Sequence, residues 1–454
     1  MSANGLVARA TLALALLIAA SPTAGGAILA PGDVLWSRVF AGGKHFNVPN
    51  SIGASPDGGT IFVTGSTGQG NHIDMATAAY DASSGGLRWR ATYDAPMHGP
   101  DAGVDLAVAP DGSKVYVAGT SWGGSTLDDY VVIAYDVVTG KRAWGARFNG
   151  PDGRYDYASA IAVSPDGSRV FVTGSATAGG HVEYGTLGYD AVTGHRLWTT
   201  LMPNSSNQGG APADIVVAPD ARTVFLTGKD FDDSTGFDYA TVAYSAARGH
   251  QRWVARYNRS GLNGMDAATS VGVSPDGLRV YVTGTSDSSV TTIAYDVPAG
   301  VQSWVVDAAA TLSIPPPRLV IAPDSSRVFV AYTSGDVETI AYDAGGGKAW
   351  SASYDGPSGG FDEGRAVTVN SSGSEVFVAG TAAAPGPAFG EYVALAYDAQ
   401  SGDATWTSLW DGPAEGSDWP QGIVASPLGT SVFITGQTWS TFTEAAWGTV
   451  AFAA

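Results

Sequence analysis

A tryptophan recurs about every fifty residues along this chain of 454 residues. The recurring positions are Trp36, Trp89, Trp144, Trp198, Trp253, Trp304, Trp350 and Trp406. A nearly constant period of this size indicates one structural unit copied in series, in which each copy packs on its neighbours. The repeat therefore constrains the fold before any local pattern is considered. Function is expected where the copies differ.

Each copy contains four short apolar or alternating segments separated by turn residues. In the third copy these segments cover 160–164, 169–173, 185–189 and 197–201, and β-branched and aromatic residues dominate them. A Ser/Ala-Pro-Asp-Gly turn recurs at 55–58, 109–112, 164–167 and 274–277. No longer stretch after residue 27 has the apolar period of a helix. Eight such copies predict an all-β, eight-bladed β-propeller of four-stranded antiparallel blades.

The two ends of the repeat region predict how the ring closes. The segment 34–40, around Trp36, reads as an outermost strand without preceding partners, and 449–452 reads as a third strand without a fourth. We expect these strands to pair, because this pairing would cover two sheet edges that otherwise invite aggregation. Residues 28–454 are therefore predicted to form a single propeller domain.

Residues 1–27 have the pattern of a secretory signal peptide. Arg9 precedes an apolar stretch at 10–20, and the small residues 25–27 offer a cleavage site. An uncleaved N-terminal anchor is the alternative. We expect a secreted or periplasmic protein with no membrane span once the signal is removed. The chain has no cysteine, so thiolate metal sites are excluded, and its net charge of −19 argues against nucleic acid as a partner.

The segment Tyr189–Trp198, which reads YDAVTGHRLW, resembles the tryptophan-docking motif of quinoprotein propellers, and it recurs at Tyr135–Trp144. The repeat is also similar to those of bacterial secreted propellers of undefined function. The resemblance implies that the eight recurring tryptophans pack between neighbouring blades. It also brings pyrroloquinoline quinone and Ca²⁺ into consideration as cofactors. However, the quinoprotein dehydrogenases stack their quinone on a disulfide of adjacent cysteines, and no segment here matches their calcium ligands or catalytic aspartate. No catalytic residue is therefore carried over.

Two series of carboxylates recur at fixed positions and map to the face that carries the longer, variable loops. The first series lies five residues before the central apolar residue of the innermost strand, at Asp101, Asp156, Asp266, Asp362 and Asp418. The second precedes the third strand, at Asp74, Asp129, Glu183, Asp238, Asp336 and Glu391. A ring of carboxylates suits Ca²⁺ or a cationic ligand. The alternative is that each Asp accepts hydrogen bonds from the backbone of its own loop.

Four tryptophans outside the period map to the same face: Trp122, Trp419, Trp439 and Trp447. An aromatic cluster beside carboxylates is a platform for a sugar or an organic cation. Packing of one loop on another is the alternative interpretation. Because the period does not require these residues, they are the more selective candidates for ligand binding.

Catalytic patterns are sparse. Gly119–Gly123 matches Gly-x-Ser-x-Gly, but the helix that should follow a nucleophile elbow is absent. His45, His72, His98 and His181 fall in variable loops without metal-ligand spacing. The first hypothesis is an exported, monomeric, non-enzymatic scaffold that binds a glycan, a cationic small molecule or a protein through its variable face. The alternative is a divergent quinoprotein-type oxidoreductase, or another propeller enzyme, with its site at the channel mouth.

Overall fold

The computed structural model describes residues 29–41, 46–70, 72–203, 209–259, 264–310, 314–383, 390–414, 416–441 and 444–454. The predicted signal peptide and His45 lie outside these residues. The described part contains 32 strands and one 3₁₀ turn at Gly124–Thr126, so the predicted near-absence of helix is confirmed. Among the described residues, no helix has the length and apolar character needed to cross a bilayer.

The first four blades follow one another along the chain. Blade 1 comprises β2 (Phe46–Ala54), β3 (Thr60–Gln69), β4 (His72–Asp81) and β5 (Leu87–Tyr93). Blade 2 comprises β6 (Asp101–Val108), β7 (Lys114–Trp122), β8 (Asp128–Asp136) and β9 (Arg142–Phe148). Blade 3 comprises β10 (Tyr157–Val163), β11 (Arg169–Ala178), β12 (His181–Asp190) and β13 (Arg196–Met202). Blade 4 comprises β14 (Ala211–Val217), β15 (Thr223–Asp232), β16 (Gly236–Ser245) and β17 (Gln251–Tyr257).

The remaining four blades complete the ring. Blade 5 comprises β18 (Gly264–Val273), β19 (Arg279–Ser286), β20 (Ser289–Asp296) and β21 (Gln302–Ala309). Blade 6 comprises β22 (Arg318–Ile321), β23 (Arg327–Thr333), β24 (Val337–Asp343) and β25 (Lys348–Tyr354). Blade 7 comprises β26 (Glu363–Val369), β27 (Glu375–Ala382), β28 (Glu391–Asp398) and β29 (Ala404–Trp410). Blade 8 comprises β30 (Trp419–Ala425), β31 (Ser431–Thr441), β32 (Glu444–Ala453) and the N-terminal β1 (Val34–Phe40).

Within each blade, consecutive strands pair antiparallel. Blades 4 and 5 are also joined by a short parallel bridge in which Gly236 pairs with Gly264 and Phe237 with Met265. The first strand of every blade contacts the first strands of both neighbouring blades, and β30 contacts β2. These eight strands therefore surround the axis of a ring, as the eightfold repeat predicts.

The N-terminal strand closes the last blade, as its sequence predicts. Strand β1 pairs antiparallel with β32, with Trp36 opposite Ala451 and Phe40 opposite Trp447. The resulting sheet order is β1-β32-β31-β30. The two ends of the described chain thus share one blade, which leaves no unpaired third strand at the junction.

The recurring tryptophans lie between blades. Trp89 packs between Phe62 of its own blade and Tyr135 of the next, with ring centroids 6.0 Å apart in both cases. Its indole N–H donates to the carbonyl of Val137 at 2.7 Å. Seven of the eight make this bond to the next blade, namely Trp36, Trp89, Trp144, Trp198, Trp253, Trp304 and Trp350. Six of these seven side chains are thereby buried with their polar atom satisfied, and Trp304 is partly buried.

Candidate ligand-binding face

The antiparallel order of the strands gives the ring two unlike faces. One face carries the tight turns within blades, such as the turn in which Gly58 N–H donates to the Ser55 carbonyl at 2.8 Å. We call it the turn face. The other carries the loops between the second and third strands and the links between blades, and we call it the loop face. Both predicted carboxylate series lie on the loop face.

The first carboxylate series is buried rather than exposed. Asp101, Asp156, Asp362 and Asp418 are 0% exposed, and Asp266 is 2% exposed. Each accepts a backbone N–H from the blade link that precedes it, at Ala95, Gly150, Arg259, Gly356 and Gly412. These aspartates therefore hold the links in place, and their carboxylates do not form an open ring.

Burial raises the pKa of four aspartates of this series. Desolvation raises the pKa of Asp101, Asp156 and Asp362, and it raises the pKa of Asp418 to about 6. Hydrogen bonds from the link backbone oppose the shift without cancelling it. Asn47 occupies the corresponding position of the first blade, where it donates to the Ala445 carbonyl at 2.8 Å. In the first blade a neutral amide that forms hydrogen bonds therefore takes the place of the carboxylate.

Four of the six members of the second series are more accessible, and the other two, Asp129 and Asp238, are buried with partners. Asp129 is paired with Arg147 at 2.6 Å, and Asp238 accepts bonds from Thr235 and Asn258. Asp74, Glu183, Asp336 and Glu391 are partly exposed. Burial raises the pKa of Glu391, and the neighbouring Asp411 carboxylate raises it further. This second series, and not the first, presents negative charge to solvent.

Two sets of three carboxylates converge between blades. Asp74, Asp94 and Asp101 meet between blades 1 and 2, and Asp336, Asp355 and Asp362 meet between blades 6 and 7. Within each set, one oxygen of each residue lies within 4.8 Å of the others. Between blades 4 and 5 the link residue is Asn258, which donates to Asp238. Three carboxylate oxygens are ligands that fit Ca²⁺.

The four tryptophans outside the period do not form one cluster. Trp447 is 0% exposed, donates to the Ser66 carbonyl at 3.1 Å, and packs on Phe40 with ring centroids 5.0 Å apart. It therefore stabilises the contact between blades 8 and 1 and offers no surface to a ligand. Trp122, Trp419 and Trp439 are partly exposed. Within the described part of the chain, no ring–ring contact joins these three to one another.

A set of exposed apolar side chains on the loop face was not predicted from the sequence. Phe46, Tyr155, Met265 and Phe361 are 44%, 48%, 58% and 56% exposed. Tyr155, Met265 and Phe361 each immediately precede an aspartate of the buried series, near the start of an innermost strand. Phe46 precedes Asn47, which occupies the same position in the first blade. We call these four residues the apolar rim. Aligning the copies at the buried Asp, and reading the residue before it, could have found the rim.

The channel along the axis contains a cavity of about 550 Å³ lined by residues of all eight innermost strands. Its charged groups are Asp105, Asp214 and Arg318. Asp105 accepts from Ile161 N–H at 3.0 Å, and Asp214 accepts from Val271 N–H at 2.9 Å, so each carboxylate joins two blades. Burial raises the pKa of Asp214 to about 6, against the opposing effect of nearby Arg318.

The described channel residues do not fit pyrroloquinoline quinone. This cofactor carries several carboxylates, and the channel presents one guanidinium against two carboxylates. The chain also has no cysteine to supply the disulfide on which the family enzymes stack the quinone.

Other sequence patterns also resolve into structural roles. Ser121 of the Gly-x-Ser-x-Gly match is 0% exposed, and its hydroxyl accepts from Arg147 at 2.9 Å. A buried hydroxyl held by a guanidinium is not placed to act as a nucleophile. His98 pairs with Asp94 at 2.7 Å, whereas His72 and His181 are the first residues of the third strands β4 and β12.

The class that these features define is an eight-bladed β-propeller whose blades dock through a repeated tryptophan. The chain belongs to the family described as outer membrane protein assembly factor BamB, which matches residues 26–186 and 183–422. No curated protein matches the sequence significantly.

Solved structures with the same fold have different activities. Sqt1 of Chaetomium thermophilum, bound to the N-terminus of ribosomal protein L10, is 14% identical with a TM-score of 0.64, covering 93% of this chain and 100% of its own. Quinohemoprotein alcohol dehydrogenase from Comamonas testosteroni is 16% identical with a TM-score of 0.58, covering 92% and 76%. The Dos1 propeller is 14% identical with a TM-score of 0.58, covering 92% and 96%. At these identities the similarity concerns the fold alone.

Proposed function

We propose that this protein is an exported, non-enzymatic scaffold that binds a ligand or protein partner on its loop face. The apolar rim carries this proposal. Three aromatic side chains of the rim, Phe46, Tyr155 and Phe361, stay exposed at one repeated position, whereas the exposed apolar residues of the turn face, such as Val138 and Leu278, are aliphatic. Exposed aromatic side chains that are collected on one face are typical of interaction sites. Export is supported by the composition of residues 1–27 and by the outer-membrane description of the family.

Site-specific photo-crosslinking in the native host tests this proposal. A photoreactive phenylalanine replaces Tyr155 or Phe361 in the rim, or Val138 or Leu278 on the turn face as matched controls. The controls are 83% and 63% exposed, so accessibility alone does not favour the rim. We expect discrete adducts from the two rim positions and none from the controls. Equal labelling from both faces, or none from the rim, would contradict a binding role for the loop face.

The two carboxylate sets are where the loop face would hold Ca²⁺. Asp74, Asp94 and Asp101 would bind one ion, and Asp336, Asp355 and Asp362 the other. Ca²⁺ would link two blades at each position. Measuring the melting temperature of the full chain as a function of Ca²⁺ concentration tests these two sites. A saturable increase that is lost with Asp94→Asn and Asp355→Asn supports the sites, and an unchanged melting temperature excludes them.

The partly exposed tryptophans remain candidates for contact with a sugar. Trp419 and Trp439 both lie in blade 8, at the ends of strands that open onto the loop face. An indole can stack on the apolar face of a sugar ring, as it stacks on other flat apolar groups. A glycan screen of the parent and of the Trp419→Ala, Trp439→Ala double variant tests this role. A glycan bound equally by both proteins would exclude the two side chains.

A further inference from the structure

The negative charge of this protein is concentrated on the loop face. The accessible carboxylates in its loops, its links and the adjoining strand ends are Asp74, Asp94, Asp128, Asp152, Glu183, Asp232, Asp233, Asp287, Asp336, Asp355, Glu391, Asp411 and Glu444. The basic side chains in the same described segments are fewer: Arg147, Arg154, Lys229, Arg256, Arg259 and Arg365. Four of these six, Arg147, Arg256, Arg259 and Arg365, are already paired with carboxylates. Since the whole chain has a net charge of −19, one face carries most of it.

The turn face has no such imbalance. Its turns contain aspartates, but basic residues recur beside them, at Arg88, Lys114, Lys141, Arg142, Arg169, Arg196, Arg222, Arg248, Arg252, Arg279, Arg327 and Lys348. Arg88, for example, pairs with Asp81 at 2.8 Å. A general need for solubility would not distinguish the two ends of the ring. The concentration of negative charge on one face therefore indicates a property of the loop face itself.

Ion pairs on the loop face leave this charge largely in place. Arg147 and Arg256 neutralise Asp129 and Asp230, which are both 2% exposed and contribute little to the surface. The more accessible Asp74 has its pKa raised by burial and then by the nearby Asp94 carboxylate. Neighbouring carboxylates thus repel one another on this face, and a cationic partner would relieve that repulsion.

The apolar rim sets the size of such a partner. Phe46, Tyr155, Met265 and Phe361 belong to the entries of blades 1, 3, 5 and 7, so they alternate around the ring. Blades 1 and 5 are opposite each other in a ring of eight. A partner that contacts residues on opposite sides must cross the channel mouth, which a small organic cation does not do.

We propose that the loop face binds a basic polypeptide segment that also carries large apolar side chains. Its Lys and Arg residues would lie against the loop carboxylates, and its apolar side chains would contact the rim. This inference rests on the proposed function and specifies the partner. The same charge would repel anionic membranes and nucleic acids.

Fluorescence anisotropy with the full chain and three labelled peptides tests the partner class. The first peptide mixes Lys with Leu and Phe, the second replaces Lys with Glu, and the third keeps Lys but replaces Leu and Phe with Ser. We expect saturable binding of the first, about tenfold weaker binding of the third, and none of the second. Affinity for the first peptide should fall between about 50 mM and about 200 mM salt.

Matched variants locate the binding. The loop-face variant combines Asp233→Asn, Asp287→Asn and Asp411→Asn, and the turn-face control combines Asp111→Asn, Asp220→Asn and Asp403→Asn. All six residues are exposed, and both variants remove the same charge. We expect about tenfold weaker binding of the Lys/Leu/Phe peptide by the first variant and unchanged binding by the control. Tyr155→Ser with Phe361→Ser should weaken binding, and Val138→Ser with Leu278→Ser should not.

The possible failures are distinguishable. Equal binding of the Lys and Glu peptides, equal effects of the two charge variants, or no binding of the Lys/Leu/Phe peptide would each overturn the inference. If rim crosslinks still form in the native host, the scaffold function stands and only the partner class is wrong. If the rim crosslinks also fail, the proposed function itself is wrong. Equally strong binding of vesicles with anionic lipid would also overturn the charge argument.

Discussion

At the scale of single residues, the ring is held together by a tryptophan that meets a glycine. Each recurring tryptophan packs its indole on the glycine in the last turn of the next blade. The eight glycines are Gly32, Gly85, Gly140, Gly194, Gly249, Gly300, Gly346 and Gly402, and all have positive φ. A Cβ at Gly85 would lie 2.6 Å from the ring of Trp36. The glycine therefore serves two purposes, the turn itself and close approach of the indole.

Replacement of Gly85 by alanine should be much more destabilising than replacement of Gly277. Both residues are in tight turns, with φ of +66° and +73°, so both variants incur a backbone cost of about 1 kcal/mol. Only Gly85 faces an indole, and no atom lies within 4 Å of the position a Cβ would take at Gly277. We expect Gly85→Ala to cost about 1–3 kcal/mol more, measured by urea unfolding. Equal losses would show that docking tolerates the methyl group.

The sequence was sufficient to predict the docking tryptophans, because the period singles them out. It was not sufficient for Trp447, which lies outside the period yet is fully buried against Phe40. Its environment depends on which blade follows the last one, and that neighbour is the first blade of the chain. A contact between residues this distant in sequence is set by closure of the ring rather than by a local pattern.

At the scale of elements, the N-terminal strand completes more than a sheet. The segment before β1 also replaces the missing last turn of blade 8. Gly32 N–H donates to the Ala453 carbonyl at 2.8 Å, and Ala453 N–H donates to the backbone carbonyl of Asp33 at 2.9 Å. Gly32 then receives the indole of Trp406, as an intact turn would. The junction therefore reproduces both the strand pairing and the docking contact of the other blades.

Moving the N-terminal strand to the other end of the chain should preserve the fold, whereas deleting it should not. A chain that starts after residue 41 would expose the edge of β32 and uncover Trp406, and we expect it to aggregate. A circular permutant with 29–41 joined after Ala454 by a short flexible linker restores both contacts. We expect it to melt cooperatively near the parent's temperature. A soluble, equally stable truncated chain would show that closure contributes little.

The repeat predicted the number and order of the strands, but not every pairing between them. The parallel bridge between β16 and β18 joins two blades that the pattern treats as separate. It forms where Gly236 and Phe237 of one loop meet the entry of the next blade. Loops of differing length decide such contacts, and their conformation is not encoded by apolar alternation. The same loops carry the candidate site, so the site is less predictable than the fold.

At the scale of the whole molecule, the pKa values of the aspartates are shifted in opposite directions on the turn face and among the buried groups of the loop face and channel. Turn aspartates such as Asp57, Asp166 and Asp276 have lowered pKa values, because serine hydroxyls and backbone N–H groups donate to the carboxylate. Buried aspartates of the loop face and channel have raised pKa values, because burial disfavours their charge. The aspartates that were predicted to form a carboxylate ring thus hold the links between blades. The accessible negative charge of this face lies in the loops around them.

The raised pKa values of the buried aspartates predict that the protein is more stable at about pH 5 than at about pH 7. Asp214 and Asp418 have pKa values of about 6 in the folded chain, against an ordinary value of 3.8. The folded state therefore binds more protons between these values, and the associated stability is lost as the pH rises through about 6. The turn aspartates keep their stabilisation above about pH 4 and lose it only as the pH falls through their lowered pKa values.

Urea midpoints at the two pH values measure this difference. We expect the parent's midpoint to fall from about pH 5 to about pH 7, and the fall to be smaller in the Asp214→Asn, Asp418→Asn variant. The readout is the change in the variant's midpoint with pH and not its absolute stability. In the parent, backbone N–H groups donate to these carboxylates, and the amide groups of the variant would face the same donors. Asp57→Asn on the turn face should keep the parent's pH dependence. A parent midpoint that is constant or rises towards about pH 7 would show that these buried carboxyls are ionised without cost.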